Sequence, residues 1–317
     1  MATSDFRQQV LAKLGRFPKR VALDVVLETT TDCEDHTRTL AIYAVEDGER
    51  ISAWLLTPKG ASPQDGWPVI LAIHQHAGQF HLGKSEPAGT LGDSTFHYGL
   101  ELCRRGYVVL CPDLLCFEDR RPTEDVRHRN QGALDGIQYE QFEFTKRILR
   151  GSCLQTKYLH DLSCSLDVLA SLPNTDAARV GVIGHSLGGQ EALWLTWYDS
   201  RVRVAVSSCG FGLLDTIVRD GINHNRAAYI PGLLETCDLD ALLCEIAPRA
   251  FLLTAGETDW LFPIDGVRSI ARRAEDVYAQ EGVPDHFKAV VYPGGHSFPE
   301  AVKAEAYNFL DHHLKGM

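Results

Sequence analysis

Long apolar runs are missing from this chain of 317 residues. No stretch approaches the about 20 apolar residues that a bilayer-crossing helix needs. The N-terminus, Met1-Ala-Thr-Ser-Asp-Phe-Arg-Gln-Gln-Val, lacks the apolar core of a secretory signal. Runs of Lys or Arg longer than a pair are also missing, and 31 basic residues against 42 acidic ones leave a net charge of −11. A nucleic-acid partner needs a concentrated basic footprint, so that class is excluded. The nine cysteines are odd in number and show neither CxxC pairs nor zinc-ligand spacing. Cys111, Cys116, Cys164 and Cys209 sit among apolar residues, where a free thiol behaves as a small hydrophobe. Internal repeats, low-complexity tracts and long linkers are absent too, which predicts one domain over 1–317. Together these absences predict a reduced, cytoplasmic protein with no membrane partner.

What is present is the balance of an ordinary globular protein, 44% hydrophobic and 23% charged. An N-terminal helix is expected over Phe6 to Leu14. Leu40 to Val45 and Arg50 to Thr57 flank Glu46-Asp-Gly-Glu, a hairpin signal with Asp-Gly at its turn. From Pro68 onward, short apolar runs begin at Val69, Tyr107, Val180, Val202, Ala250 and Phe287. Strands covered on both faces read this way. Between them lie helical patterns over 96–105, 154–169, 190–198, 267–280 and 299–314. The clearest is the stripe Leu154, Tyr158, Leu162, Leu166 and Leu169. Strands alternating with helices predict an α/β fold, a doubly wound and mostly parallel sheet with helices on both faces. The segments 113–150 and 211–247 break the alternation. Each follows a strand at its C-terminal end, where such sheets bind ligands, so both are expected to form the walls or lid of a site.

Gly184-His185-Ser186-Leu187-Gly188-Gly189 fits the pattern G-x-S-x-G. The pattern alone is weak, but a strand run precedes it and a helix pattern follows it. A serine on so sharp a turn needs small neighbours, and the turn lifts its hydroxyl into the site. The helix start behind it offers free N–H groups, which makes Leu187 N–H the first oxyanion donor. A serine nucleophile needs a base, and this fold places the acid and then the histidine after later strands. His296 follows the last strand in Tyr292-Pro-Gly-Gly-His-Ser-Phe, and Asp259 follows the previous strand in Gly256-Glu-Thr-Asp-Trp-Leu-Phe-Pro. Glu257 and Asp215 remain alternatives for the acid, and a helix N-cap remains a structural role for Asp259.

These segments carry a resemblance. From about Trp54 to its end the chain resembles the α/β-hydrolase superfamily, and within it the dienelactone-hydrolase and acetyl-xylan-esterase-like branch. The matching residues are Arg179-Val-Gly-Val-Ile-Gly-His-Ser-Leu-Gly-Gly, the acid and histidine segments above, and His74 to Gly89 with Gly83-Lys-Ser-Glu-Pro-Ala-Gly. Serine stands where dienelactone hydrolases proper carry cysteine. In the loop His74-Gln-His-Ala-Gly78, Gln75 replaces the usual glycine, and the N–H of His76 is favoured over that of Gln75 as the second oxyanion donor. His74 is expected to fix the loop by hydrogen bonding, rather than to ligate metal together with His76. Gln75, His185, Arg120 and Arg121 are further candidates for substrate contact, with His185 also expected to pack beneath the turn. For the two arginines, pairing with the acids of Glu118-Asp119 is the competing role. The resemblance implies a serine carboxylesterase acting on a small-molecule ester through an acyl-enzyme, with no cofactor or metal. An amidase or peptidase using the same residues, a catalytically silent binding module and a homo-oligomeric state stay open.

Overall fold

The computed structural model describes residues 2–128 and 134–316, so residues 129–133 of the expected wall segment lie outside the described residues. Among the described residues, nine strands form one sheet: β1 (Val26–Asp32), β2 (His36–Glu46), β3 (Glu49–Pro58), β4 (Trp67–Ile73), β5 (Val108–Pro112), β6 (Thr175–His185), β7 (Val202–Ser208), β8 (Ala250–Gly256) and β9 (Phe287–Tyr292). The helices are α1 (Ala2–Leu14), α2 (Tyr98–Arg104), α3 (Glu124–His128), α4 (Gly136–Leu149), α5 (Leu154–Ser171), α6 (Leu187–Tyr198), α7 (Leu214–Arg219), α8 (Leu239–Ile246), α9 (Ile264–Gln280) and α10 (Glu300–Lys315). The strand order is β1-β2-β3-β5-β4-β6-β7-β8-β9. β1, β2 and β3 pair antiparallel with their neighbours, and every pair from β5 to β9 is parallel.

The expected hairpin is β2–β3, with Gly48 in the left-handed region at φ 75° where the Asp-Gly turn requires it. β4, β5 and β8 are buried nearly throughout because both faces are covered, and β7 is too except at the exposed Arg203. On one face α2 and α10 pack against a core that includes Ile70, Val109, Val206 and Leu310. On the other, α5, α6, α8 and α9 close over Leu71, Leu110, Val182 and Phe251.

Two elements depart from the sequence expectation. β1 is exposed along its whole length, so it has no apolar pattern, and it joins the sheet only as an edge beside β2. α4 arises in the segment 113–150, expected as a wall or lid without an assigned helix. Its buried residues include Glu140 and Glu143, whose charges hide the helical period; Glu143 pairs with Lys146 and Arg147.

Arg120 requires a correction. It is buried and does not contact the candidate substrate cavity described below. Its guanidinium donates to Asp161 Oδ2 at 2.8 Å, to Glu49 Oε2 at 3.0 Å and to the Asp113 carbonyl at 3.2 Å. Lys157, also buried, pairs with Asp161 and Glu49 and with Glu46. The cluster ties α5 to the β2–β3 hairpin, and it explains why the polar side of α5 is as buried as its leucine stripe. Arg121 is held by the Glu118 carbonyl at 2.9 Å. Replacing Lys157 by Met should leave Asp161 and Glu49 to Arg120 alone and Glu46 without its cation, and cost about 3–5 kcal/mol, read as a lower urea midpoint.

Candidate active site

The order of the parallel strands reverses beside β4, which has β5 on one side and β6 on the other. Loops leaving β4 and β6 therefore diverge to opposite faces and leave a crevice at the strand ends. Ser186 stands there as the N-cap of α6 at φ 55°, ψ −119°. Its N–H donates to the Ser208 carbonyl at 2.8 Å and its carbonyl accepts from Gln190 N–H at 2.9 Å, so the turn is held on both sides. A Cβ on Gly188 would overlap the carbonyl oxygen of Ile73, and one on Gly184 would overlap Gly188 itself. The small residues around the serine thus let the backbone of β4 pass directly against the start of α6.

A cavity of about 390 Å³ opens above the serine and is bounded by Gln75 to Gly78, Ile137, Ser186, Asn223 to Asn225, Trp260, Leu261 and His296. His296 Nδ1 lies 2.7 Å from Asp259 Oδ2, and Asp259 Oδ1 accepts the Leu261 N–H at 2.9 Å. The loops bearing these two side chains are joined by Glu257 N–H to the Tyr292 carbonyl and Thr258 N–H to the Gly294 carbonyl. Burial acts to lower the pKa of His296, but the hydrogen bond and charge of Asp259, with Cys209 alongside, push it up to about 9. The two alternative acids lie elsewhere: Glu257 is paired with Arg268 at 2.7 Å, and Asp215 is exposed.

Comparison with known proteins places the chain in a family. Residues 51–309 match the model of the dienelactone hydrolase family. The chain belongs to that family. YtaP of Bacillus subtilis, a protein named as a hydrolase, is 28% identical over 309 residues, covering 96% of this chain and 97% of its own. A Bacteroides fragilis protein named as an acetyl xylan esterase shares the fold with a TM-score of 0.72 at 17% identity, over 99% of this chain and 86% of that one. A glucuronoyl esterase of Solibacter usitatus does so with a TM-score of 0.69 at 18% identity, over 97% and 92%. Among the described residues of this dienelactone hydrolase family member, no helix is long and apolar enough to cross a membrane.

The oxyanion-loop candidates divide by role. The N–H of Leu114 donates to His74 Nε2 at 3.1 Å, so His74 Nδ1 carries the proton and donates to the Gln75 carbonyl at 2.8 Å. Burial pushes the pKa of His74 down to about 4, which keeps it neutral. His76 Nδ1 accepts the Gly78 N–H at 3.0 Å, leaving Nε2–H to face Glu140 Oε1 at 3.2 Å. Both rings are committed to hydrogen bonds on both nitrogens, which disfavours a metal held by this pair. Gln75 borders the cavity, but its side-chain amide donates to the buried carboxylate of Glu86 at 2.9 Å. Gln75 therefore anchors the loop where a glycine would leave it loose. The Gly83-Lys-Ser-Glu motif serves the same region: Lys84 is buried between Asp113, Glu118 and Asp119. His185 requires a second correction. It is fully buried, 3.0 Å from Ser208 Oγ and stacked on Phe96, so it packs under the turn and does not reach a substrate.

Four contributors escaped the sequence reading. Tyr292 Oη donates to the carbonyls of Gly295 and Ser297, which bracket His296. Cys209, at φ 44° after β7, places Sγ 3.2 Å from that hydroxyl and within 4.8 Å of the His296 and Asp259 ligand atoms. Glu140 and Asn225 hold the opposite wall, Asn225 by donating to Gln190 Oε1 at 3.1 Å. The one available signal was Ser207-Ser-Cys-Gly, small residues directly after a parallel strand, where ligand-facing loops begin. Gly188→Ala should force Ile73 and α6 apart, costing about 1–3 kcal/mol in urea titration and a larger share of any activity at Ser186.

Proposed function

We propose that the protein is a serine carboxylesterase that hydrolyses a small-molecule ester through an acyl-enzyme. The observation that carries this reading is that Ser186, on its strained turn, shares one cavity with an imidazole already hydrogen-bonded to a buried carboxylate. In this mechanism His296 accepts the Ser186 proton as Oγ attacks the ester carbonyl, and Asp259 holds the tautomer and stabilises the imidazolium. The carbonyl oxygen becomes an oxyanion. Leu187 is the first residue of α6, and its N–H, without an intrahelical acceptor, supports it as the donor that meets this charge. The His76 N–H, on the loop that Gln75 and His74 hold still, supplies the second hydrogen bond. His296 then gives its proton to the departing alcohol, and water repeats the cycle on the acyl-enzyme.

Esterases with this fold, named for acetyl xylan and glucuronoyl substrates, support ester over amide chemistry. Ile137 of α4 and Asn223 to Asn225 bound the cavity and are the wall residues that would vary substrate choice.

Ser186→Ala should lower kcat for p-nitrophenyl acetate by at least about a thousandfold with the fold unchanged by circular dichroism. Activity equal to the wild type would remove Ser186 from the reaction. The imidazolium cannot accept a proton, and His296 stays protonated below its raised pKa of about 9. The kcat/KM profile should therefore still be climbing between pH 7 and 9. Asp259→Asn should move that limb to lower pH and cut kcat on the order of 10⁴-fold, since the charge holding the imidazolium is gone.

A further inference from the structure

A second cavity lies directly behind the wall of the first. A groove of about 350 Å³ is lined by Phe144 of α4, by Ile217 and Val218 of α7, and by Tyr229, Ile230 and Leu234 beyond it. His224 borders both spaces. Its Nε2 is 2.9 Å from the Leu261 carbonyl, and its ring lies 4.6 Å from Phe262, which in turn is 6.0 Å from His296. His224 is thus a wall shared by the groove and the cavity of Ser186.

The groove has little to offer a polar ligand. Three of its residues carry polar side chains, and each is bonded elsewhere. His224 is held by Leu261, the Tyr229 hydroxyl accepts the His224 N–H and donates to Asn223 Oδ1, and Glu235 pairs with Lys13. What remains is apolar: Ile217 and Ile230 are buried at its floor, while Val218, 66% exposed, and Leu234, 45% exposed, form an uncovered rim. Such a patch beside a site marks a binding surface.

We propose that this groove holds the alkyl chain of an ester whose carbonyl sits at Ser186, passing His224 on the way. The inference rests on the esterase reading for the carbonyl end alone. The chain could belong to the acid or to the alcohol. Burial of each methylene should raise affinity about fourfold, so long-chain esters should be preferred over short ones that stop before His224.

The test is the double variant Val218→Asp, Leu234→Asp. Both positions are exposed and outside the Ser186 cavity, so the variant should fold and hydrolyse p-nitrophenyl acetate as the wild type does. One arm compares p-nitrophenyl octanoate with p-nitrophenyl acetate; the other compares octyl acetate with methyl acetate by pH-stat. A fall of about tenfold or more in the long-to-short ratio of kcat/KM is expected in one arm, the first if the chain is the acyl group and the second if it is the alcohol. Unchanged ratios in both arms overturn the proposal, including the case in which the variant merely dissociates an oligomer in sedimentation. If the wild type hydrolyses none of these esters, the esterase reading fails and calorimetric titration with decanoate decides the groove. Binding weakened about tenfold in the variant would uphold the groove, and equal or undetectable binding to both proteins would end it.

Discussion

The structure depends on how closely two backbones approach at the centre of the sheet. The carbonyl of Ile73, at the end of β4, occupies the space where a side chain on Gly188 would stand. That contact lets α6 start directly beneath the loop leaving β4, and it forces Ser186 to make the whole turn from strand to helix in one residue at positive φ. A non-glycine residue rarely adopts such a backbone. The surrounding hydrogen bonds, from Ser186 N–H to Ser208 and from Gln190 N–H to Ser186, over-determine it. The serine hydroxyl, the first turn of α6 and the His74–Gly78 loop meet at one place because of that approach.

The rest of the site is positioned by loops that brace one another. The acid and histidine loops share two backbone hydrogen bonds, and Tyr292 closes the histidine loop from beneath. Across the cavity, Gln75 leans on Glu86, and His76 leans on Glu140, which also receives the Arg226 N–H. Buried charges do this work at low dielectric, where a satisfied pair is stiff and a broken one is costly. The clusters around Lys84 and Lys157 follow the same logic further out, fixing the wall segments to the sheet without touching the cavity.

Some of this was open to reading from residues in order. The parallel strands were visible as apolar runs because the central ones are covered on both faces, and even the edge strand β9 keeps Phe287 and Tyr292 buried. Ser186, Asp259 and His296 stood out as candidates because strand–loop–helix order constrains which residue follows which strand. Trp260 and Asn225 were not visible, since wall residues obey no period. Cys209 read as a core thiol, which it is by burial, and its place beside His296 depends on β7 lying next to β8.

The sequence by itself determined the element pattern, the G-x-S-x-G turn and the candidates Ser186, His296 and Asp259, the first two at one cavity and the third behind the imidazole, because each is encoded by local spacing and by chain order. Tertiary structure decided the partners. It assigned Arg120 to Asp161 and Glu49, buried His185 under the turn, committed the Gln75 amide to Glu86 and set an apolar groove behind His224. Those outcomes rest on contacts between residues far apart in the chain, and the sign and range of a charged side chain do not say which distant charge it will meet.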